Sequence, residues 1–172
     1  MATDLLKPRR GGFQRAFGCA EFIRDFLGGS GPYGSTAINA QVGAPQAEIF
    51  YEYKTALIRE TALDKATAIE EKQARKTKRP INPENIQALS GKIIARMPYK
   101  TFRARYHSFV VYFSQLERLE WVVPTGEEEP SAFQANYTKG QPRKYYRLTQ
   151  AGLSAPDSAW ANPQRALVGH TR

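Results

Sequence analysis

Between Thr101 and Val123 the hydrophobic period of the chain changes, and few folds accommodate the change. Phe102, Tyr106, Phe109, Phe113 and Leu116 recur at alternating steps of four and three, the spacing that lines up one face of an α-helix. Arg103, His107, Val111, Ser114 and Arg118 fall on the opposite face. The helix predicted over 101–119, capped by Thr101, runs without a break into Trp121-Val122-Val123, a short strand stopped by Pro124 and Gly126. Residues 125–142 are polar and turn-rich. Lys144 to Thr149 (KYYRLT) then alternates as a second strand, ended by Ala151-Gly152.

Upstream of this unit the pattern is helical. From Gln46 to Lys78 there is neither glycine nor proline, and Pro45 suits a first helical turn. Ile49, Phe50, Tyr53, Ala56 and Leu57 form an apolar face that Ala62, Leu63, Ala66 and Ile69 continue more weakly, with Thr61 as a possible break. The end of this helix, KQARKTKR at 72–79, holds five bases and no acid, which fits either a solvated helix end or a contact to a polyanion. Asn82-Pro83-Glu84 reads as an N-cap with proline at the first helical position, opening a helix with Ile86, Leu89, Ile93 and Ile94 on one face. Pro98 places a turn near 97–100.

The termini complete the organisation. Residues 1–12 are expected to be a mobile basic arm. Residues 13–27 read as a short helix with Phe13, Phe17, Ala20, Ile23 and Leu27 on its apolar stripe, closed by Gly28 and Gly29, and 28–44 as a glycine-rich linker. The domain itself is expected over 45–153, with the long helix as its first. Residues 154–172 are expected to be an irregular tail from which Trp160 docks on the core.

Composition removes whole classes of chemistry. Two histidines and the single Cys19 cannot supply a four-ligand Cys/His zinc site, so no metal is expected. His107 has no nucleophile or carboxylate near it in sequence, no phosphate-cradling glycine motif occurs, and neither an enzyme nor a cofactor is expected. Cys19, inside an apolar helix, reads as a small buried hydrophobe. No stretch approaches the roughly 18 apolar residues of a membrane span, and no secretory signal is read at the N-terminus. The expected compartment is the cytoplasm, on the nucleoid if the source is prokaryotic. A formal net charge of +9 points to a polyanionic partner.

Helix, turn, helix, strand, long turn, strand is the order of a winged helix-turn-helix. The fold class expected is therefore mainly α with a small β-wing, preceded by an N-terminal helical extension. Two strings carry a family resemblance over about 83–153. Leu116-Glu117-Arg118-Leu119-Glu120-Trp121-Val122-Val123 is similar to a recognition helix running into the first wing strand. Gly140-Gln141-Pro142-Arg143-Lys144-Tyr145-Tyr146-Arg147-Leu148-Thr149-Gln150-Ala151-Gly152 resembles the second wing strand of PadR-type winged-helix regulators. Three departures stand beside it: 154–172 lacks that family's long dimerising helix, the wing-tip loop is long and its Glu127-Glu128-Glu129 puts acid where a DNA-grazing wing favours lysine or arginine, and the N-terminal 80 residues have no counterpart.

The resemblance implies double-stranded DNA as partner, with helix 101–119 in the major groove and the 139–147 wing on the backbone. No acid occurs from Asn85 to Leu116, a span holding Lys92, Arg96, Lys100, Thr101, Arg103, Arg105 and His107. Arg103 and His107, on the outward face, are the candidate base readers. Lys100 and Arg105 are candidate phosphate contacts, and Lys139, Arg143, Lys144 and Arg147 supply the wing. Tyr112, Tyr145 and Tyr146 fit either base stacking or core packing. The leading expectation is a non-enzymatic DNA-binding regulator of transcription. The alternative is a winged-helix assembly subunit of a larger nucleoprotein complex, which the glutamates and Val111 favour. Two apolar stripes within 13–69 predict a homodimer or a dedicated partner, because one winged domain covers only one of them.

Overall fold

The computed structural model describes residues 18–34, 38–97, 106–129 and 143–170. The chain is mainly helical, with seven helices among the described residues and one small three-stranded antiparallel sheet. In order these are α1 (Cys19–Gly28), β1 (Ala44–Pro45), α2 (Gln46–Thr77), α3 (Pro83–Arg96), α4 (Tyr106–Arg118), β2 (Val122–Glu129), β3 (Arg143–Leu148), α5 (Gln150–Ser154), α6 (Asp157–Ala161) and α7 (Pro163–His170). They fall into two compact units whose boundary lies within α2, between Tyr53 and Lys54. One contains 18–53 and 106–170 and carries the sheet. The other contains 54–97.

In the sheet-bearing unit, α1 opens with the Gly18 N–H donated to Glu21 Oε2 and closes at Gly29 in the left-handed region, as its two glycines predict. Cys19, Phe22, Ile23, Phe26 and Leu27 are buried, and the helix contacts α4, β3, α5 and α6. The sequence reading put this helix in an extension ahead of the domain. Its apolar surface instead goes into the core, because α1 is buried almost all round rather than along a single stripe. Aromatic rings link the elements. Phe22 lies 5.3 Å from Tyr53, Phe109 lies 5.3 Å from Phe50 and 5.8 Å from Phe113, and Phe113 meets Tyr146 edge-on at 4.8 Å. Ile23, Leu27, Ile49 and Tyr53 are thus buried, Phe50 is half-buried and Ile69 is exposed, while Phe13 and Phe17 of the expected stripe lie outside the described residues.

The sheet order is β1-β3-β2. β1 is a strand that no periodicity announced. Pro45, expected inside the helix, belongs to β1 and pairs with Tyr145, and α2 starts one residue later. Gly43 makes this pairing possible. Its φ is +74°, and a Cβ there would coincide with the Tyr146 carbonyl. β2 also departs from expectation. It continues through Pro124 and Gly126 to Glu129, with an irregularity in register between Pro124 and Glu128.

The tail is helical, not irregular. Trp160, on α6, is 1 % exposed. Its ring lies 4.6 Å from that of Trp121, and its Nε1–H is donated to the Gly152 carbonyl at 3.0 Å. Arg24 of α1 holds Asp157 at 2.8 Å and Asp25 at 3.0 Å and lies over the Trp160 ring. These tertiary contacts order a segment too short and proline-rich to be helical alone.

The other unit is a helical hairpin. Ile58, Ala62, Ala66, Glu70 and Ala74 recur every four residues along α2 and are buried, and the helix continues through Thr61 without a break. α3 starts as its sequence predicts: Asn82 Oδ1 accepts from the Glu84 N–H at 2.9 Å, with Pro83 next. The connection is closed by a buried charge. Glu70 accepts from the Arg79 guanidinium through both oxygens, from the Asn82 N–H at 2.9 Å and from Asn85 Nδ2. Arg79 first, then Asn82, hold its carboxyl at about 2 against the opposing effect of burial.

Candidate nucleic-acid interface

The sequence places α4 and the β2–β3 hairpin together, and the core between them explains why. Phe109, Phe113 and Leu116 of α4 are buried, as are Val122 and Leu148 of the hairpin, which pair across the strands. The outward face of α4 carries His107, Val111, Ser114 and Arg118, all exposed, in agreement with the helical spacing. Val111 is 47 % and Tyr112 36 % exposed, so the described part of this face is largely uncharged.

Helix α4 hands over to β2 through a tight closure. The Trp121 N–H is donated to the Leu116 carbonyl and the Glu120 N–H to the Glu117 carbonyl, with Glu120 in the left-handed region at φ 57°. This is a Schellman closure with glutamate at the position that glycine usually fills. The Thr149 side chain then donates to the Glu120 carbonyl at 2.6 Å and accepts from the Gly152 N–H, while its own N–H is donated to the Trp121 carbonyl. The Arg-Leu-Thr string at the end of β3 therefore has a physical reading. Leu148 fills the core, and Thr149 both caps α5 and ties the hairpin to the end of α4.

The wing cations do not share one face. Strand alternation puts Lys144 on one face with Tyr146 and Leu148, and Arg143 and Arg147 on the other; Lys144 is exposed and the two arginines are half-buried. Lys144 pairs across the sheet with Glu128 and Arg143 with Glu129. Lys144 also acts on Glu117 of α4, whose carboxyl is raised by burial and drawn back by that ammonium. Acid that read as a loop cluster in the sequence thus stands on a strand opposite the wing's own bases. Arg147, opposite Val123, has no such cross-strand acid. Tyr146 is half-buried with its ring against Phe113, and burial first, then Glu117 and Tyr106, raises its hydroxyl.

Of the remaining candidates, Lys92 and Arg96 are exposed on α3 in the hairpin unit. Lys100, Thr101, Arg103, Arg105 and Lys139 lie outside the described residues, as does the expected cap of α4. Cys19 is buried, as its apolar context predicts. Among the described residues no group of His, Cys, Asp and Glu converges as a metal site, and no helix is long and apolar enough to cross a membrane. The chain matches no family model, and neither a curated protein nor a solved structure is significantly similar to it.

Proposed function

We propose that the sheet-bearing unit is a winged helix that binds duplex DNA and regulates transcription. The observation that carries this reading is the chain order α1, β1, start of α2, α4, β2, β3 with sheet order β1-β3-β2. In this assignment α1 is the first helix, the first turns of α2 are the second, and α4 is the recognition helix. The hairpin of 54–97 is an insertion between the second and third helices. This replaces the assignment of the whole 45–78 helix as the first. The net charge of +9 and the acid-free run from Asn85 to Leu116, which enters α4, supply the electrostatic drive toward phosphates. His107 is the base-edge candidate in α4, Arg103 lies four residues before it in the sequence, and Arg147, opposite Val123, is the wing candidate without a cross-strand acid among the described residues.

Titration of a labelled duplex at several salt concentrations tests the proposal. Affinity is expected to fall linearly with salt on logarithmic axes, with a slope near −0.9 for each phosphate neutralised. Arg103→Ala is expected to weaken a preferred site by about 1–3 kcal/mol and relax its base preference. No binding by micromolar protein at about 50 mM salt would refute the reading. The exposed Val111 and Tyr112, and the glutamates opposite Arg143 and Lys144, favour a second reading as an assembly module within a nucleoprotein complex. That reading predicts weak, salt-insensitive duplex binding.

A further inference from the structure

The basic run 72–79 divides in the structure. Arg79 turns inward and spends its guanidinium on the buried Glu70. Lys72, Arg75, Lys76 and Lys78 are all exposed, and none of the four has an ion-pair partner among the described residues. The run is therefore not uniformly a solvated helix end: one base fixes the turn and four are presented by it.

The turn is held from both sides. α2 ends in a second Schellman closure, with the Arg79 N–H donated to the Ala74 carbonyl and the Lys78 N–H to the Arg75 carbonyl. Lys78 occupies the left-handed position at φ 48°, where glycine would be unstrained. Glu70 then ties Arg79, Asn82 and Asn85 together across the connection. Cations at this tip lose little backbone freedom on meeting a ligand, because the backbone beneath them is already fixed.

Like-charge repulsion within the run works against the helix, and Glu71, four residues before Arg75, offsets part of it. Lys72 with Arg75 and Lys72 with Lys76 are like-charge pairs at three- and four-residue spacing on one face of α2. The helix dipole compensates Arg75 and Lys76 in the last turn and does little for Lys72. The nearby acids are the half-buried Glu71 and the exposed Glu84, two against four. The exposed Gln73 stands beside Lys72, and a row of cations on a fixed turn suits a phosphate backbone.

We infer that the closed end of the α2–α3 hairpin is a second phosphate-backbone contact for duplex DNA, distinct from α4 and the wing. The inference rests on the DNA-binding reading above. Its test is a salt titration of full-length protein with a labelled duplex of about 30 base pairs, comparing the wild type with the triple variant Lys72→Gln, Arg75→Gln, Lys76→Gln. Three lost contacts make the logarithmic slope shallower by about 2–3. Between about 50 and 200 mM salt the wild type should then lose roughly 40-fold more affinity than the variant does. An unaltered melting temperature shows that the variant keeps its fold, and Lys78→Gln provides a single-site version should the triple variant be destabilised. A wild-type slope retained by both variants overturns the inference and leaves the DNA-binding reading standing. Absence of wild-type binding overturns both.

Discussion

Replacing Trp160 by alanine tests whether the C-terminal helices belong to the folded core. The side chain is 1 % exposed, lies 4.6 Å from the Trp121 ring and donates to the Gly152 carbonyl. A buried tryptophan removes about 150–250 Å² from water, which at ~25 cal/mol per Å² is roughly 4–6 kcal/mol as an upper bound. Measured truncations of this kind cost about 3–5 kcal/mol. Part of the loss is the orphaned Gly152 carbonyl, at about 1–3 kcal/mol. Trp160→Phe keeps most of the apolar contact and loses the N–H, so about 1–2 kcal/mol is expected. Trp121 joins α4 to β2, so the alanine variant should also weaken any activity that needs α4 and the hairpin in register. Guanidinium unfolding followed by far-ultraviolet circular dichroism is the suitable assay, because fluorescence would report the altered residue. A loss under about 1 kcal/mol for Trp160→Ala would show that α6 is a loosely attached appendage and that the reasoning from burial is wrong.

Other perturbations probe separate features. Gly43→Ala combines a left-handed backbone with a Cβ placed on the Tyr146 carbonyl, so a loss of at least about 2 kcal/mol is expected in denaturant unfolding; near-neutrality would mean that β1 is not held against β3. Glu120→Gly should stabilise by roughly 0.5–1 kcal/mol by relieving the left-handed glutamate, and a lower melting temperature would contradict the Schellman assignment. Glu70 has its carboxyl held at about 2, below the ordinary carboxylate value of 4.5. The stability it contributes is therefore fully present above about pH 4.5 and lost as pH falls toward 2. Melting temperatures of Glu70→Gln should vary less with pH across that window than those of the wild type, and parallel profiles would show that the network does not survive in solution.

Local signals in the sequence translated directly into structure. Asn82-Pro83 predicts the start of α3, the Phe109-Phe113-Leu116 spacing predicts the buried face of α4, and the alternation at 144–148 predicts β3, because each depends on residues within a turn or two. Features made by distant partners were not legible. β1 consists of two residues whose pairing partners lie about a hundred positions downstream. β2 runs through Pro124 and Gly126, which read as breakers, and its far end is paired by Arg143 and Lys144. α6 owes its order to Trp121 and Arg24. Of the candidate interface, the outward face of α4 was legible from periodicity. The cross-strand register that sets Glu128 and Glu129 opposite Lys144 and Arg143 was not, since nothing local aligns 128–129 with 143–144. Arg79 read as one more exposed base because its partner, Glu70, lies in the preceding helix.

Among the described residues the order β1-β3-β2 leaves the sheet with two outer strands, and each carries a proline, Pro45 and Pro124. A proline has no N–H to offer an incoming strand, the bulge near Pro124 bends the line of acceptors, and the glutamates that follow repel one another along a stacked array. Growth of this sheet by addition of another chain is thereby blocked at both ends. Concentrated solutions are expected to resist fibril formation even though Tyr145-Tyr146-Arg147-Leu148 has a strongly strand-forming composition.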